Sequence, residues 1–80
     1  MTFMFEVYCG PDTDAERQQW MTEEVAKFGG WFDCREEPTE YVRGVVLTYE
    51  FNDEESASNA ANYLRTQGYH VEGPGTYSWP

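Results

Sequence analysis

Hydrophobic residues alternate with polar residues most clearly in the middle of the chain. From position 45 onward, every second residue is apolar, as expected for a strand with one face toward a core. That face carries Val45, Leu47, Tyr49 and Phe51, and the other carries Val46, Thr48 and Glu50. The pattern predicts a long strand, which is the first element of a strand and helix pair within residues 41–69.

The segment after this strand predicts a helix over residues 53–67. Asn52 and Asp53 are residue types that cap helix N-termini, and Glu54 and Glu55 place negative charge where the helix dipole favours it. Small and apolar residues then follow at the spacing of one helix face: Ala57, Ala60, Ala61 and Leu64. The alanines would allow this helix to lie close to a sheet.

The N-terminal half has the same arrangement. Residues 3–9 alternate and predict a strand, which a Gly-Pro pair then breaks. A helix is predicted over residues 13–28, with Asp12 or Asp14 as its cap. Glycines follow both predicted helices and can close their C-terminal ends.

Two further strands complete the predicted fold of a single domain, residues 1–80. The segment 31–37 alternates and connects through residues 38–40 to the long strand, whereas 70–72 and 76–79 are extended around Gly73-Pro74-Gly75. The order is strand, helix, strand, strand, helix, strand. Because right-handed crossovers put both helices on one side of a sheet, this order predicts an α+β, ferredoxin-like βαββαβ fold with a four-stranded antiparallel sheet.

The net charge of the chain is the property that says most about its function. The chain has 15 Asp and Glu residues against 5 Lys and Arg, a formal net charge of −10. Affinity for nucleic acid comes from neutralising phosphates, so direct binding to nucleic acid is not expected. The partner that this charge favours is a basic protein.

Two acidic groups are candidate partner-binding residues because they lie on predicted turns and a helix start. The first comprises Glu36, Glu37 and Glu40, and the second comprises Asp53, Glu54 and Glu55. Acids at a helix start can be explained by their favourable interaction with the helix dipole alone, and acids on turns can simply keep the protein soluble. Neutralising lysines at i+4 are mostly missing, however, so the whole set is harder to explain in this way.

The side of the sheet opposite the helices is predicted to combine aromatic residues with acids. Its predicted members are Met4, Glu6, Tyr8, Trp31, Asp33, Arg35, Val46, Thr48 and Glu50. RNA-binding sheets also expose aromatic side chains, but with basic neighbours. Tyr8 and Trp31 beside carboxylates are therefore predicted to contact a protein. The alternative is that a second copy of the chain covers this side, in a homodimer.

The two cysteines are predicted to be buried, reduced thiols. Cys9 and Cys34 fall on the core side of strands that are not expected to be neighbours, which favours free thiols over a disulfide. The N-terminus lacks the pattern of a signal peptide, and no stretch is apolar enough for a membrane span. A cytoplasmic protein without a membrane partner is expected.

Residues for catalysis or cofactor binding are few. His70 is the only histidine, so no two-histidine metal site can form within one chain. Nothing selects one pair of the many carboxylates as a general acid and base. The glycine pairs follow helices instead of preceding them, which does not match a phosphate-binding loop. We therefore expect neither an enzyme nor a bound cofactor or metal.

Two resemblances accompany this interpretation. The segment Lys27-Phe28-Gly29-Gly30-Trp31-Phe32-Asp33 and residues 49–72 resemble pieces of the bacterial ribonuclease E inhibitor family, the regulator of ribonuclease activity B, in the opposite order. That resemblance implies a ribonuclease regulator.

By size, acidity and predicted fold, the chain also resembles phage-encoded inhibitors such as DNA-mimic anti-CRISPR proteins. This second resemblance implies an inhibitor that occupies a basic nucleic-acid-binding site, for example on a CRISPR surveillance complex. A small ligand-binding or dimeric ferredoxin-like domain is the further alternative.

Overall fold

The predicted order of strands and helices is confirmed. The computed structural model describes residues 1–77 of the 80-residue chain. Its elements are β1 (Thr2–Cys9), α1 (Ala15–Ala26), β2 (Trp31–Glu36), β3 (Val45–Phe51), α2 (Glu54–Thr66) and β4 (His70–Tyr77). The four strands form one antiparallel sheet in the order β2-β3-β1-β4. This is the ferredoxin-like α+β arrangement.

One face of the sheet packs against both helices and holds the core. Alternate residues of the two central strands point into it and are almost fully buried, among them Phe5, Val7, Leu47 and Phe51. From α1 the core takes Met21 and Val25, and from α2 it takes Ala57, Ala60, Ala61 and Leu64. The small side chains of α2 bring that helix close to β1 and β4.

Tyr49 shows how a polar group is accommodated in this aromatic core. Its side chain is fully buried, and its hydroxyl lies 2.9 Å from the hydroxyl of Thr22 on α1. Burial raises the pKa of Tyr49 to about 12. The ring also contacts Phe5 and Phe32, with ring centroids 6.1 and 5.9 Å away. The hydrogen bond therefore joins α1 to the middle of the sheet without leaving a buried donor unpaired.

Both helices begin at aspartate caps. The carboxylate of Asp14 accepts a hydrogen bond from the backbone N–H of Arg17 (2.8 Å), and that of Asp53 accepts one from Ser56 (2.9 Å). Of the alternatives open from sequence, Asp14 and Asp53 are thus the N-caps. The helices are one to two residues shorter at each end than predicted, because the caps and final turns lie outside the regular helix.

An extra residue in β2 overturns two predictions. Phe32 pairs with Tyr49 and Cys34 with the adjacent Thr48, so Asp33 is a bulge and the alternation of β2 reverses after it. Cys34 therefore lies opposite the helices and is exposed, not buried as predicted. Arg35 was predicted on the side opposite the helices, but it pairs with Leu47 on the helix side and reaches α1 instead.

The other edge strand also contains an extra residue. Met4 pairs with Gly75 and Glu6 with Glu72, so β1 has one residue between these pairs where β4 has two, Gly73 and Pro74. The strand continues through this bulge, which sequence reasoning took as an interruption. Gly73 has φ 111°, a left-handed conformation that favours glycine. Positions 78 and 79 of the predicted final strand lie outside the described residues.

Residues 37–44 form a structured loop between β2 and β3. Its backbone is tied by the hydroxyl of Thr39, which accepts hydrogen bonds from the N–H groups of Tyr41 (3.1 Å) and Val42 (3.0 Å). The N–H of Thr39 donates to the carbonyl of Val42 (2.7 Å). At the end of the loop, a side chain on Gly44 would collide with the Cys9 carbonyl, so glycine allows the chain to pass close to β1.

Candidate protein-binding surface

The face of the sheet opposite the helices, here the open face, is the candidate functional site. In register, its central rows join Glu36, Val46, Tyr8 and His70, then Cys34, Thr48, Glu6 and Glu72, then Trp31, Glu50 and Met4. Thr2 lies beside Glu50, and its hydroxyl donates to the Glu50 carboxylate (2.7 Å). Both helices lie on the other side of the sheet.

Carboxylates lie directly against one another on this surface. Glu6 and Glu72 are opposite partners on β1 and β4. At the β2 bulge, burial raises the pKa of the Asp33 carboxyl, and the charge of Glu50 and a hydrogen bond to it raise that pKa further. Like charges in direct cross-strand positions destabilise a sheet. The open face therefore carries charge that the fold itself does not require.

The described part of the open face has no lysine or arginine. Arg35 was the single basic residue predicted there, and its guanidinium instead donates to the carbonyl of Thr13 (3.0 Å) and to the Gln18 side chain (3.1 Å) at the start of α1. His70 does lie on this face, with Nε2 3.0 Å from a carboxylate oxygen of Glu72. The open face consequently lacks the one arginine that the sequence pattern placed on it.

Two aromatic side chains project from among these carboxylates. Tyr8 is 36% exposed and Trp31 is 40% exposed, in contrast to the fully buried aromatic residues of the core. Partial burial raises the pKa of the Tyr8 hydroxyl, and the charges of Glu6, Glu72 and Glu36 raise it further. Tyr8 also packs against the ring of His70, with centroids 5.4 Å apart. The prediction that both aromatics lie on this side of the sheet is confirmed.

The two predicted acidic groups lie at opposite ends of β3. Glu36 pairs with Val46 at one end, whereas Asp53 follows Phe51 at the other. Val46 and Phe51 are five residue steps apart in the strand, which corresponds to roughly 17 Å at about 3.4 Å per step. Two carboxylates of the open face, Glu6 opposite Thr48 and Glu50 in β3 itself, lie along the strand between these ends.

Not every acid of these groups is free to contact a partner. Asp53 caps α2, and hydrogen bonds from Ser56 lower the pKa of its carboxyl. Glu37 is paired with Arg35, whose Nε lies 2.6 Å from its carboxylate. Glu36, Glu40, Glu54 and Glu55 are exposed. Charge at position 53 therefore has the capping use that the sequence predicted, whereas charge at position 37 has a structural use that the sequence did not reveal.

Sequence reasoning did not place Glu36, Glu72 and His70 on the open face. All three follow from strand pairing: Glu72 and His70 lie opposite Glu6 and Tyr8, and Glu36 lies on this side because of the β2 bulge. Alternation within β4 and its antiparallel pairing to β1 would have identified Glu72 and His70. The bulge has no such clear signal.

An open cleft of about 640 Å³ lies elsewhere, at the start of α1, and Cys9, Trp20 and Tyr69 form part of its wall. Its polar groups largely serve the fold: Asp14 caps α1, and Arg17 donates to the Tyr69 hydroxyl (3.2 Å). Within residues 1–76, no buried side-chain polar atom lacks a hydrogen-bond partner. Among these residues, the cleft therefore has no buried side-chain polar atom that lacks a partner.

Neither a metal site nor a membrane span is found in the described part of the chain. No three or more histidine, cysteine or acidic side chains there are arranged to hold a metal ion. None of its helices is long and apolar enough to cross a membrane.

Comparisons of the chain with models of protein families, with curated proteins and with solved structures found no match.

Proposed function

We propose that this chain is an acidic binding protein that occupies a basic nucleic-acid-binding site on a partner protein, with the open face as its contact surface. The observation that carries the proposal is the direct opposition of Glu6 and Glu72 on a face without lysine or arginine among its described residues. Such pairs reduce the stability of a sheet. A cationic partner would relieve their repulsion.

The same charges argue against a second copy of the chain as the occupant. A symmetric dimer brings identical surfaces together. The carboxylates of Glu6, Glu50 and Glu72 would then face those of the other copy, at a cost of several kcal/mol for like charges brought together at an interface. A basic site on a partner would not repel these carboxylates and would attract them instead.

In the proposed mechanism, fixed carboxylates replace phosphates. Lysines and arginines of a nucleic-acid-binding site attract a local excess of anions, which the carboxylates displace on binding. Tyr8 and Trp31 supply apolar contact area in the middle of the charged surface, where desolvated aromatic residues contribute most. Occupation of the site would inhibit nucleic-acid binding by the partner, as anti-CRISPR proteins of the DNA-mimic class do.

The test begins with capture of the partner from a lysate of the source cells and its identification by mass spectrometry. The dissociation constant is then measured against salt for the wild type and for the double variant Glu6→Gln, Glu72→Gln. We expect weaker binding and a shallower dependence of log Kd on log salt for the variant, since fewer ions are released. The same variant should be more stable than the wild type, because its cross-strand repulsion is gone.

A matched control places the same change on the other side of the molecule. The double variant Glu16→Gln, Glu23→Gln removes two exposed charges from α1, away from the open face. Its affinity and salt dependence should remain close to those of the wild type. Equal losses in both double variants, or an affinity that does not change with salt, would count against the open face as a phosphate-like surface.

A further inference from the structure

Among the side chains that the structure describes, the most exposed aromatic one lies in the loop between β2 and β3. Tyr41 is 88% exposed, and the adjacent Val42 is 40% exposed. An aromatic side chain buries on the order of 150–250 Å² when it is enclosed. A tyrosine that stays largely exposed therefore lacks the favourable free energy of burying that apolar area. Packing among residues 1–76 therefore leaves the Tyr41 ring almost entirely exposed.

This ring is presented by a loop that is already ordered. The Thr39 hydroxyl accepts from two backbone N–H groups of the loop, and Gly44 brings its far end against the Cys9 carbonyl. Ordering a side chain or loop costs free energy at binding, and an ordered loop avoids part of this cost. The loop is therefore suited to insert Tyr41 into a pocket of a partner.

Two exposed carboxylates precede the exposed ring along the chain. Glu40 precedes Tyr41 directly and is exposed, and Glu36 lies where the loop leaves the open face. Glu37 is held by the guanidinium of Arg35. The loop thus extends the acidic surface and adds a flat aromatic ring to it, with Arg43 as its one basic residue.

An exposed flat ring that closely follows anionic groups along the chain offers the same two features as a nucleotide whose base is unstacked. Sites for single-stranded nucleic acid combine a positively charged groove with aromatic side chains on which bases stack. Sites for duplex DNA contact phosphates and the edges of paired bases, and an aromatic ring finds no stacking position in them. Only the first kind of site can use both the carboxylates and the Tyr41 ring.

From these observations we infer that the target of this protein is a single-strand-binding site, in which Tyr41 takes the position of an unstacked base and Glu36 and Glu40 those of nearby phosphates. The inference rests on the proposed function and narrows it. It predicts that the Tyr41 ring, and not its hydroxyl, contributes to affinity. It also predicts that single strands compete for the partner better than duplexes.

The experiment uses immobilised wild-type protein with its captured partner. Short oligothymidine, a DNA duplex and inorganic polyphosphate are added as competitors at equal phosphate concentration. Oligothymidine is expected to release the partner at the lowest concentration, since only it offers both phosphates and free bases. Equal release by polyphosphate would overturn the inference, because charge alone would then account for binding.

Variants of the loop give a second measurement. Tyr41→Ala should raise the dissociation constant about ten- to a hundredfold, the range expected for loss of one stacked ring. Tyr41→Phe should bind within about twofold of the wild type, since stacking does not need the hydroxyl. Arg43→Ala should not weaken binding, because the partner site is basic. Each variant should unfold at the denaturant concentration of the wild type, as these side chains are exposed.

The outcomes separate this inference from the function on which it rests. If Glu6→Gln, Glu72→Gln weakens binding but Tyr41→Ala does not, the acidic surface remains supported and the single-strand target is overturned. If binding is insensitive to salt and to both changes, the proposed function fails and the inference fails with it.

Discussion

Along the central strand β3, the two faces of the sheet differ less in how far they are buried than in which residues surround them. On the helix side of β3, Leu47 and Phe51 are fully buried among apolar residues. On the open side of the same strand, Val46 and Thr48 are only 3% and 2% exposed, although no helix covers them. In register, Thr48 lies between Glu6 and Cys34, and Val46 lies between Tyr8 and Glu36. A strand in the middle of a sheet is thus well covered on both faces.

What distinguishes the open face is therefore its unfavourable charge. Every buried residue of the core face adds to stability through apolar burial. The open face instead opposes Glu6 with Glu72 and brings Asp33 against Glu50. A surface selected for stability alone would intersperse both signs of charge. The comparison teaches that one face maintains the fold and the other carries a feature that reduces its stability.

The largest expected effect separates the two faces by truncating an aromatic side chain on each. Phe51→Ala should lower the free energy of unfolding by about 3–5 kcal/mol, since it leaves a cavity in the core. A domain of this length has a total of about 4–12 kcal/mol, so this variant would be largely unfolded. Trp31→Ala on the open face should cost about 1 kcal/mol. Urea unfolding followed by circular dichroism measures both, and similar losses would contradict the assignment of faces.

A smaller effect tests the arginine that the β2 bulge moves to the helix side. Arg35→Ala removes hydrogen bonds to Thr13 and Gln18 that tie β2 to α1, and we expect a loss of about 1–2 kcal/mol in unfolding free energy. Arg43→Ala is the matched control and should change stability by less than about 0.5 kcal/mol. If the two variants are equally stable, Arg35 does not hold the helix in solution.

Thiol labelling compares the two faces at their cysteines. Cys34 is exposed on the open face, whereas Cys9 is half-buried and burial raises the pKa of its thiol. The thiolate is the reactive form, so Cys34 should react with Ellman's reagent about tenfold faster than Cys9 in the native protein. Cys34→Ser should remove the fast phase alone. A single rate for both thiols would argue against the bulge, which places Cys34 outside the core.

The smallest expected effect concerns the carboxyl group of Asp33. Because the pKa of Asp33 is raised in the folded state, folding favours its protonated form, and stability is lost as pH rises through that range. Asp33→Asn should therefore stabilise the protein at pH 7 by a few tenths of a kcal/mol, on the order expected for exposed charges. Below the ordinary aspartate pKa of about 3.9, the gain should disappear. A gain that persists at low pH would exclude charge repulsion as its cause.

The fold was predictable because its signals are local and repeated. Alternation in β1 and β3, aspartates at the helix starts and glycines after the helices all indicate the same order of elements. Gly68 has φ 93° directly after the last turn of α2, as its position suggested. Sequence and structure agree where one residue type meets one backbone requirement.

The composition of the open face was only partly predictable. The alternation placed Tyr8, Trp31, Glu6 and Glu50 correctly, because no irregularity precedes them in register. It failed for Cys34 and Arg35, since one inserted residue reverses every side chain that follows. Asp33 is a poor strand former, yet such residues also occur in regular edge strands. The position of a bulge depends on pairing with β3, which the sequence of β2 alone does not contain.

The two bulges have a further consequence, for the behaviour of the protein at high concentration. Both lie in the strands at the borders of the sheet: Asp33 in β2, and Gly73-Pro74 in β4. An unpaired strand border is a template onto which another chain can add and begin a fibril, and bulges, prolines and charges there interrupt that template. Both borders of this sheet are interrupted near their middle. The sheet can therefore leave one broad face without a covering layer of helices and still resist the edge-to-edge aggregation that threatens open sheets.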